Sequence, residues 1–121
     1  MKLRPESGEA SVAMANLELE RNDAEAAVSL ADRVLKVDAQ DAGALLVRGL
    51  ALIRLDRPED ALQALTRIPK QSEVYRQAVY ALSKVYRQLG QAGNADAAVQ
   101  EFQKLEVENG IRENTPTRRR P

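Results

Sequence analysis

The stretch RLDRPEDALQAL at residues 54–65 has a weaker counterpart upstream, ERNDAEAAVSLA at residues 20–31. Sliding one stretch over the other superposes Glu25 on Glu59 and Ala27 on Ala61. The same offset aligns further small or apolar residues, namely Ala10 with Ala44, Val12 with Leu46, Ala15 with Gly49, Leu19 with Ile53 and Val34 with Ile68. The offset between all these pairs is 34 residues. A fixed period of this length indicates a structural unit that occurs more than once, rather than chance matching in an alanine-rich chain.

The composition favours helices along the whole chain. Of 121 residues 44% are hydrophobic, but only 3% are aromatic. Alanine, leucine, glutamate, glutamine and arginine lose little conformational freedom in a helix, and runs of the β-branched and aromatic residues that strands favour are missing. Apolar residues recur at three- and four-residue spacing, which is typical of amphipathic helices. The sequence therefore predicts an all-α domain.

Capping residues and helix breakers divide the chain into six helices. Asp23 and Asp41 are expected to cap the second and third helices, and Pro58 suits the first turn of the fourth. Ser72 is expected to cap the fifth, which Gly90 then ends in a left-handed conformation. The predicted helices cover about residues 8–21, 24–37, 42–55 and 58–68, a segment from the Ser72 cap to residue 89, and residues 95–108. Short links make neighbouring helices antiparallel, so the six form three hairpins that bury their apolar faces by stacking.

The repeated pattern resembles the tetratricopeptide repeat, which has small residues where two helices cross and large ones where the stack is filled. The best copy, LLVRGLALIRLDRPEDALQALTRI, supplies Leu45, Gly49, Leu52, Ala61, Leu65 and Ile68. The copy MANLELERNDAEAAVSLADRVLKVDA supplies Ala15, Ala27, Val34 and Leu35. The copy ALSKVYRQLGQAGNADAAVQEFQKLE supplies Leu82, Ser83, Tyr86, Gly90, Ala98, Phe102 and Leu105, and we interpret residues 91–93 as an insertion in its turn.

This resemblance implies a right-handed superhelical stack of three antiparallel helix hairpins, an α-solenoid of the tetratricopeptide type. The three repeats would cover about residues 8–41, 42–71 and 72–108. Residues 1–7 are interpreted as the end of a preceding repeat or as an N-terminal cap. Residues 109–121 are interpreted as a disordered basic tail, because they lack apolar periodicity and end in an arginine cluster. Two charges at usually apolar positions, Glu18 and Arg48, indicate either an ion pair between the first two hairpins or a shifted helix face.

The residue types exclude several classes of function. The chain has no cysteine and no histidine, which removes disulfides, thiolate or imidazole metal sites, a cysteine nucleophile and a histidine general base. It also contains no glycine-rich phosphate loop and no nucleophile elbow. We therefore expect no enzyme activity, no catalytic residue, no cofactor and no metal.

Charge and hydropathy bear on the partners and the location. Eighteen basic residues balance eighteen acidic ones, so no overall field draws the chain to nucleic acid, and the arginines at 118–120 are too few for a strong contact. No apolar run has the length of a membrane span or the form of a signal peptide. These patterns predict a soluble protein without a membrane partner and favour the cytoplasm, while the compartment itself stays open.

The resemblance also implies where a partner binds. In this family the first helices of the hairpins line a concave groove that holds an extended peptide or a partner helix. The candidate peptide-binding residues carried over in this way are Asn16, Glu20, Leu46, Leu50, Arg54, Tyr80, Lys84 and Arg87.

The chemistry of these residues indicates the kind of partner. Asn16, Lys84 and Arg87 are similar to the carboxylate clamp of some co-chaperones, but Leu46 and Leu50 stand where a second asparagine is expected. An apolar centre suits an amphipathic segment of a protein partner better. One alternative is a structural spacer that forms homo-oligomers through the exposed ends of the stack, and another is a solvated face that holds no ligand.

Overall fold

The structure is a computed structural model that describes the backbone of residues 6–114 and the side chains of residues 8–110. This part of the chain folds into six α-helices, and none of it lies in a strand. The helices are α1 (Glu6–Glu20), α2 (Ala24–Val37), α3 (Ala42–Arg54), α4 (Pro58–Thr66), α5 (Tyr75–Gln88) and α6 (Ala92–Asn114). The predicted all-α class is confirmed. The interpretations of residues 1–5 and 115–121 lie outside the described residues.

Three of the predicted helix starts are confirmed. The Asp23 carboxylate accepts a hydrogen bond from the Ala26 N–H at 3.1 Å, and the Asp41 carboxylate accepts one from the Ala44 N–H at 2.9 Å. Pro58 is the first residue of α4, where its missing N–H would have no partner in the helix. The two aspartates satisfy backbone donors that a helix start otherwise leaves unbonded, and Pro58 removes one such donor.

The turns inside the three hairpins have one geometry. A residue with positive φ follows each first helix, namely Asn22 at 68°, Asp56 at 59° and Gly90 at 75°. The next residue donates its N–H to the carbonyl five positions back, in the pairs Asp23 to Glu18, Arg57 to Leu52 and Gln91 to Tyr86, at 2.8, 2.9 and 2.8 Å. This pattern is the Schellman motif, in which a left-handed residue ends a helix and turns the chain. The predicted left-handed role of Gly90 is confirmed.

The period of the first two hairpins continues through the third. The left-handed residues stand at positions 22, 56 and 90, and the link inside each hairpin has the same length. The predicted insertion at residues 91–93 is therefore wrong. Ala95, and not Ala98, occupies the position of Ala27 and Ala61, and all three of these alanines are buried.

The irregular part of the repeat lies between α4 and α5. Helix α4 ends at Thr66, and residues 67–74 form a longer link than residues 38–41 do between α2 and α3. Pro69 accounts for the early end, because proline disfavours the helical conformation of the residue before it. The predicted Ser72 cap is wrong: its Oγ accepts the Val74 N–H at 3.1 Å within the link, and the helix begins at Tyr75.

Helix α6 is longer than expected at both ends. It begins at Ala92 and continues to Asn114, so the predicted limits at residues 95 and 108 are wrong. Residues 109–114 are helical and do not belong to a disordered tail. A glycine inside a helix costs only about 1 kcal/mol relative to alanine. Gly110 is therefore tolerated among the neighbouring glutamates, which are good helix formers.

The hairpins stack so that their first helices lie side by side. Each helix packs against the next one along the chain, and α3 also contacts both α1 and α5. The predicted helical solenoid is thus confirmed, while its right-handed twist stays a prediction. Two buried clusters form the core, one within α1, α2 and α3 and the other mainly within α3, α4 and α5. Four partly buried residues pack against both clusters, namely Val28, Leu35, Leu50 and Leu55.

Gly49 marks the closest helix crossing. A Cβ atom at this position would lie 2.5 Å from both Cγ and Cδ2 of Leu65, which is far inside van der Waals contact. The equivalent pairs in the other two repeats are Ala15 with Ala31 and Ser83 with Val99. Among these three pairs, the smallest first-helix residue, Gly49, thus faces the largest second-helix residue, Leu65.

Of the two alternatives for Glu18 and Arg48, the ion pair between them is not formed. The Arg48 Nε donates to the Asp32 carboxylate at 2.7 Å and so joins α3 to α2, whereas Glu18 lies 3.7 Å from Arg21 one turn along. Arg48 lies on the side of α3 that packs against the preceding hairpin, where Asp32 supplies a partner for its charge.

Candidate ligand-binding groove

The predicted site residues fall on repeat-equivalent positions of α1, α3 and α5. Four sets of positions, spaced as i, i+4, i+7 and i+8 on each helix, contain all of them: 12, 46 and 80; 16, 50 and 84; 19, 53 and 87; and 20, 54 and 88. Residues with this spacing share one face of a helix. Because α3 lies between α1 and α5, the three faces adjoin. We refer to this surface as the groove.

The α5 side of the groove carries an aromatic and cationic cluster. The Tyr80 side chain is 46% exposed, and its ring centroid lies 5.0 Å from that of Phe102 on α6, at an interplanar angle of 42°. The Lys84 Nζ lies 5.0 Å from the Tyr80 ring centroid, which is within the range of a cation–π contact. The Phe102 contact restricts the Tyr80 ring while leaving about half of it open to a ligand.

Two of the three cations of α5 have no carboxylate partner among the residues whose side chains the structure describes. Lys84 and Arg87 are exposed, and within residues 8–110 no carboxylate lies at ion-pair distance from either. Arg76, by contrast, pairs with Glu106 of α6 at 3.4 Å. The structure therefore leaves two positive charges beside Tyr80 free for an external anion.

The centre of the groove is apolar but partly closed. Leu46 is only 8% exposed and belongs to the buried core, so it presents little surface to a ligand. Leu50 and Ile53 are half-buried, and Leu50 packs against both core clusters. Leu50 and Ile53, rather than Leu46, thus form the accessible apolar floor on α3.

Arg54 connects two hairpins through a hydrogen bond and remains exposed. Its Nη1 donates to the Leu19 carbonyl at the end of α1. One repeat later, Gln88 Nε2 donates to the Ile53 carbonyl at 3.1 Å, so the same bond recurs between the next two hairpins. Sequence reasoning missed these cross-repeat hydrogen bonds, although the equivalent repeat positions of Arg54 and Gln88, two side chains with N–H donors, were a usable signal.

The α1 side of the groove is polar and acidic. Asn16 and Glu20 are exposed there, together with Glu9 nearer the start of α1. No hydrogen bond or ion pair engages the side chains of these three residues within the part of the chain that the structure describes. The opposite edges of the groove therefore carry opposite charge.

A second polar cluster fixes α5 to α6 outside the groove. The Tyr75 hydroxyl donates to the Glu101 carboxylate at 2.8 Å. Burial raises the pKa of Tyr75 to about 12, and the hydrogen bond to Glu101 and the charge of Glu101 act in the same direction. This contact orients the helix that carries Tyr80.

The described residues form neither a cluster of side chains that could hold a metal ion nor a helix that could span a membrane. No group of three or more histidine, cysteine, aspartate or glutamate side chains in this part of the chain is arranged to hold a metal ion. No helix among the same residues has both the length and the apolar character needed to cross a bilayer.

A comparison with protein families gives one match that covers most of the chain. The family described as the Psidin N-terminal TPR repeats region matches residues 17–110. The match includes α2 to α5, most of α6 and the last turn of α1. No curated protein matches the chain.

Proposed function

Because the chain belongs to the tetratricopeptide repeat family of the Psidin N-terminal region, we propose that it is a non-catalytic interaction module that holds a segment of a partner protein in the groove. Repeats of this type generally mediate protein–protein interaction, and families built from them are generally not enzymes. The observation that carries the proposal is the half-exposed Tyr80 ring, which Phe102 restricts beside two unpaired cations. Exposed, rigid tyrosines are common anchors of protein interfaces.

A random dodecapeptide display library, selected on the immobilised chain, tests this proposal. We expect the enriched peptides to bind the wild-type chain and to lose at least about tenfold in affinity for Tyr80→Ala, because an anchor residue contributes more than about 1.4 kcal/mol. Asn16→Arg, which places a bulky side chain on the opposite edge, should weaken the same peptides.

The matched control is Val107→Ala, which also removes an exposed apolar side chain but lies on α6 outside the groove. Its affinity should equal that of the wild-type chain. Circular dichroism establishes that each variant retains its helices. Selection of no peptide, or selection only of peptides that bind Tyr80→Ala and Asn16→Arg as well as the wild type, would contradict binding in the groove.

A second candidate function is self-assembly through the α1 end of the stack. Met14 and Leu17 on α1 are 52% and 48% exposed, whereas their repeat equivalents on α3, Arg48 and Ala51, pack against α2. The corresponding outer face of α6 is mostly polar: Asp96, Gln100 and Gln103 are exposed there, together with Val107. Of the two ends, the α1 end thus carries the apolar surface that association of copies would cover.

Sedimentation equilibrium across a hundredfold range of protein concentration separates the two candidates. Self-assembly predicts a mass that rises with concentration in the wild-type chain and in Tyr80→Ala, but stays monomeric in Met14→Glu/Leu17→Glu. A Val37→Glu variant, which changes an exposed apolar side chain at the end of α2, controls for added negative charge. A monomeric wild-type chain over the whole range would rule out the second candidate.

A further inference from the structure

The unpaired charges of the groove are separated by sign. Lys84 and Arg87 stand on α5, and Glu9 and Glu20 stand on α1. Arg54, the one cation of α3 on this face, donates one N–H to the Leu19 carbonyl and keeps its positive charge. A ligand that crosses the three helices therefore meets the two cations of α5, then an apolar floor with Arg54 at its end, then the negative charge of α1.

The distance between the two edges limits the length of that ligand. Packed helix axes lie about 8–10 Å apart, so the path from α5 across α3 to α1 is about 20 Å. An extended chain advances about 3.3 Å per residue and covers this path in about six residues. A charged residue at each end of such a segment would reach both edges at once.

Neutral amide side chains in the groove favour an extended ligand. Asn16 and Gln77 are exposed on α1 and α5, and each offers both donors and acceptors. An extended backbone has unpaired N–H and C=O groups that these amides can bond, whereas a helix satisfies its own backbone internally. The exposed amides therefore match an extended segment better than a helical one.

Building on the proposed function, we propose that the occupant of the groove is an extended peptide with charges of opposite sign at its two ends. An acidic residue lies against Lys84 and Arg87, an apolar residue contacts Tyr80 and Leu50, and a basic residue about six positions away lies against Glu20. Complementary charges at the two edges fix the orientation of the segment and speed its association. The charges decide which end of the peptide lies at α5 and which at α1, but the peptide can run from its N-terminus to its C-terminus in either direction. The test therefore determines whether the acidic residue precedes or follows the basic one.

The sequences enriched from the dodecapeptide library give the first readout. We expect an aspartate or glutamate and a lysine or arginine separated by about six residues, with apolar residues between them. Their affinity should fall severalfold between about 50 and about 500 mM salt, because the charges are solvent-exposed and screened. Acids at the three- and four-residue spacing of an amphipathic helix would overturn the extended occupant.

Charge reversal gives the second readout. We expect Lys84→Glu/Arg87→Glu to bind the enriched peptides at least about tenfold more weakly, and to regain binding when the acidic residue of the peptide is replaced by lysine. The matched control, Arg33→Glu/Lys36→Glu, makes the same change in net charge on the exposed surface of α2 and should bind as the wild type does. If Lys84→Glu/Arg87→Glu is less helical than the wild type by circular dichroism, Lys84→Gln/Arg87→Gln replaces it in the binding measurement.

The outcomes separate the two proposals. Peptides that require Tyr80 but lack the opposite charges, or that bind the charge-reversed variant with unchanged affinity, overturn this inference and leave groove binding intact. An equal loss of affinity in the Arg33→Glu/Lys36→Glu control also overturns this inference, because the change in net charge alone would then explain the loss. Failure to select any peptide that requires Tyr80 overturns the proposed function and this inference together.

Discussion

At the scale of single residues, the crossing of α3 and α4 depends on the absence of one carbon atom. Gly49 lies so close to Leu65 that an added Cβ would overlap the buried leucine side chain. Leu65 is almost fully buried, so it cannot move into solvent to make room. The other two hairpins have a larger first-helix residue and a partner smaller than leucine at the same crossing, which indicates that the two side chains share a limited volume.

Gly49→Ala should therefore destabilise the chain by about 1–3 kcal/mol, the usual cost of overpacking a core. Gly93→Ala is the matched control: it lies in α6 with open space around it and should raise the free energy of unfolding by about 0.4–1 kcal/mol. Urea unfolding followed by circular dichroism measures both. Leu65→Val in the Gly49→Ala background should recover part of the loss, and equal urea midpoints for the two alanine variants would contradict the volume argument.

Tyr75 gives the stability of the chain a dependence on alkaline pH. Burial raises its pKa to about 12 in the folded chain, whereas an unfolded tyrosine has a pKa of about 10. The folded state therefore binds more protons than the unfolded state between these values. Its contribution to the free energy of unfolding is complete below about pH 10 and is lost as the pH rises through about 12.

Ultraviolet titration of the phenolate band tests this assignment. The titration should contain a late phase that corresponds to a pKa of about 12, and Tyr75→Phe should abolish this phase. The same variant should show a smaller decline of the unfolding free energy between about pH 10 and about pH 12 than the wild type does. Persistence of the late phase in Tyr75→Phe would assign it to another tyrosine.

At the scale of the elements, successive hairpins are joined by the same cross-repeat hydrogen bond. Arg54 donates to the carbonyl of Leu19, and Gln88 donates to the carbonyl of Ile53. Each bond uses a carbonyl near the end of a first helix that also accepts the backbone N–H three residues on, from Asn22 to Leu19 and from Asp56 to Ile53. The bond thus joins the end of one first helix to the end of the next.

Arg54→Ala should cost about 0.5–1.5 kcal/mol, the usual net contribution of one hydrogen bond. Arg54→Gln should retain most of the stability, because glutamine already makes the equivalent bond from position 88. Thermal unfolding of the three proteins provides the comparison. If the alanine and glutamine variants have the same midpoint, the bond does not contribute and the arginine stem accounts for any loss.

Most helices could be predicted from the sequence because local chemistry decides them. Asp23, Asp41 and Pro58 act within one turn of the helices that they begin, so sequence alone is sufficient there. The length of α6 could not be predicted in this way, because Asn109 and Gly110 weaken a helix without ending it. The third repeat was misaligned at Ala98 because alanines are too frequent to fix an alignment. The left-handed residue Gly90, one full period after Asp56, fixes it correctly.

The helix face that the candidate residues share was predictable from the sequence, but their burial and hydrogen bonding were not. The repeat period placed every candidate on the groove face, since helical spacing decides which residues share a face. Burial and hydrogen bonding depend on neighbouring hairpins, and a sequence pattern does not contain them. Leu46 thus proved to be part of the core, and Arg54 proved to be bonded to a backbone carbonyl.

At the scale of the whole molecule, the stack is held by contacts between near neighbours. Helix α3 contacts four other helices, whereas α1 contacts only α2 and α3 within the described residues. Two hydrophobic residues of α1 are buried, Ala15 and Leu19, while most of α3 is buried. Stability in such arrays is approximately a sum of repeat and interface terms, so it varies along the chain.

Native-state hydrogen exchange should therefore be graded along the stack. The amides of α1 should exchange faster than those of α3, because α1 can detach while the rest of the core stays closed. Leu19→Ala should speed exchange in α1 with little effect on α5, whereas Leu45→Ala, at the centre of the core, should speed exchange in every helix. Uniform protection from α1 to α5 would indicate a single cooperative unit instead.

The constant spacing of the three left-handed turns makes the hairpin an interchangeable part. Cutting out one whole period anywhere between α1 and α6 would splice a backbone position to its own counterpart in the next unit, leaving a shorter rod with intact turns. A deletion slightly shorter or longer than one period would instead rotate the residues that follow it about the helix axis and expose their apolar face to water. Among edits to this gene, changes in length by whole units are thus the ones that the folded chain can absorb.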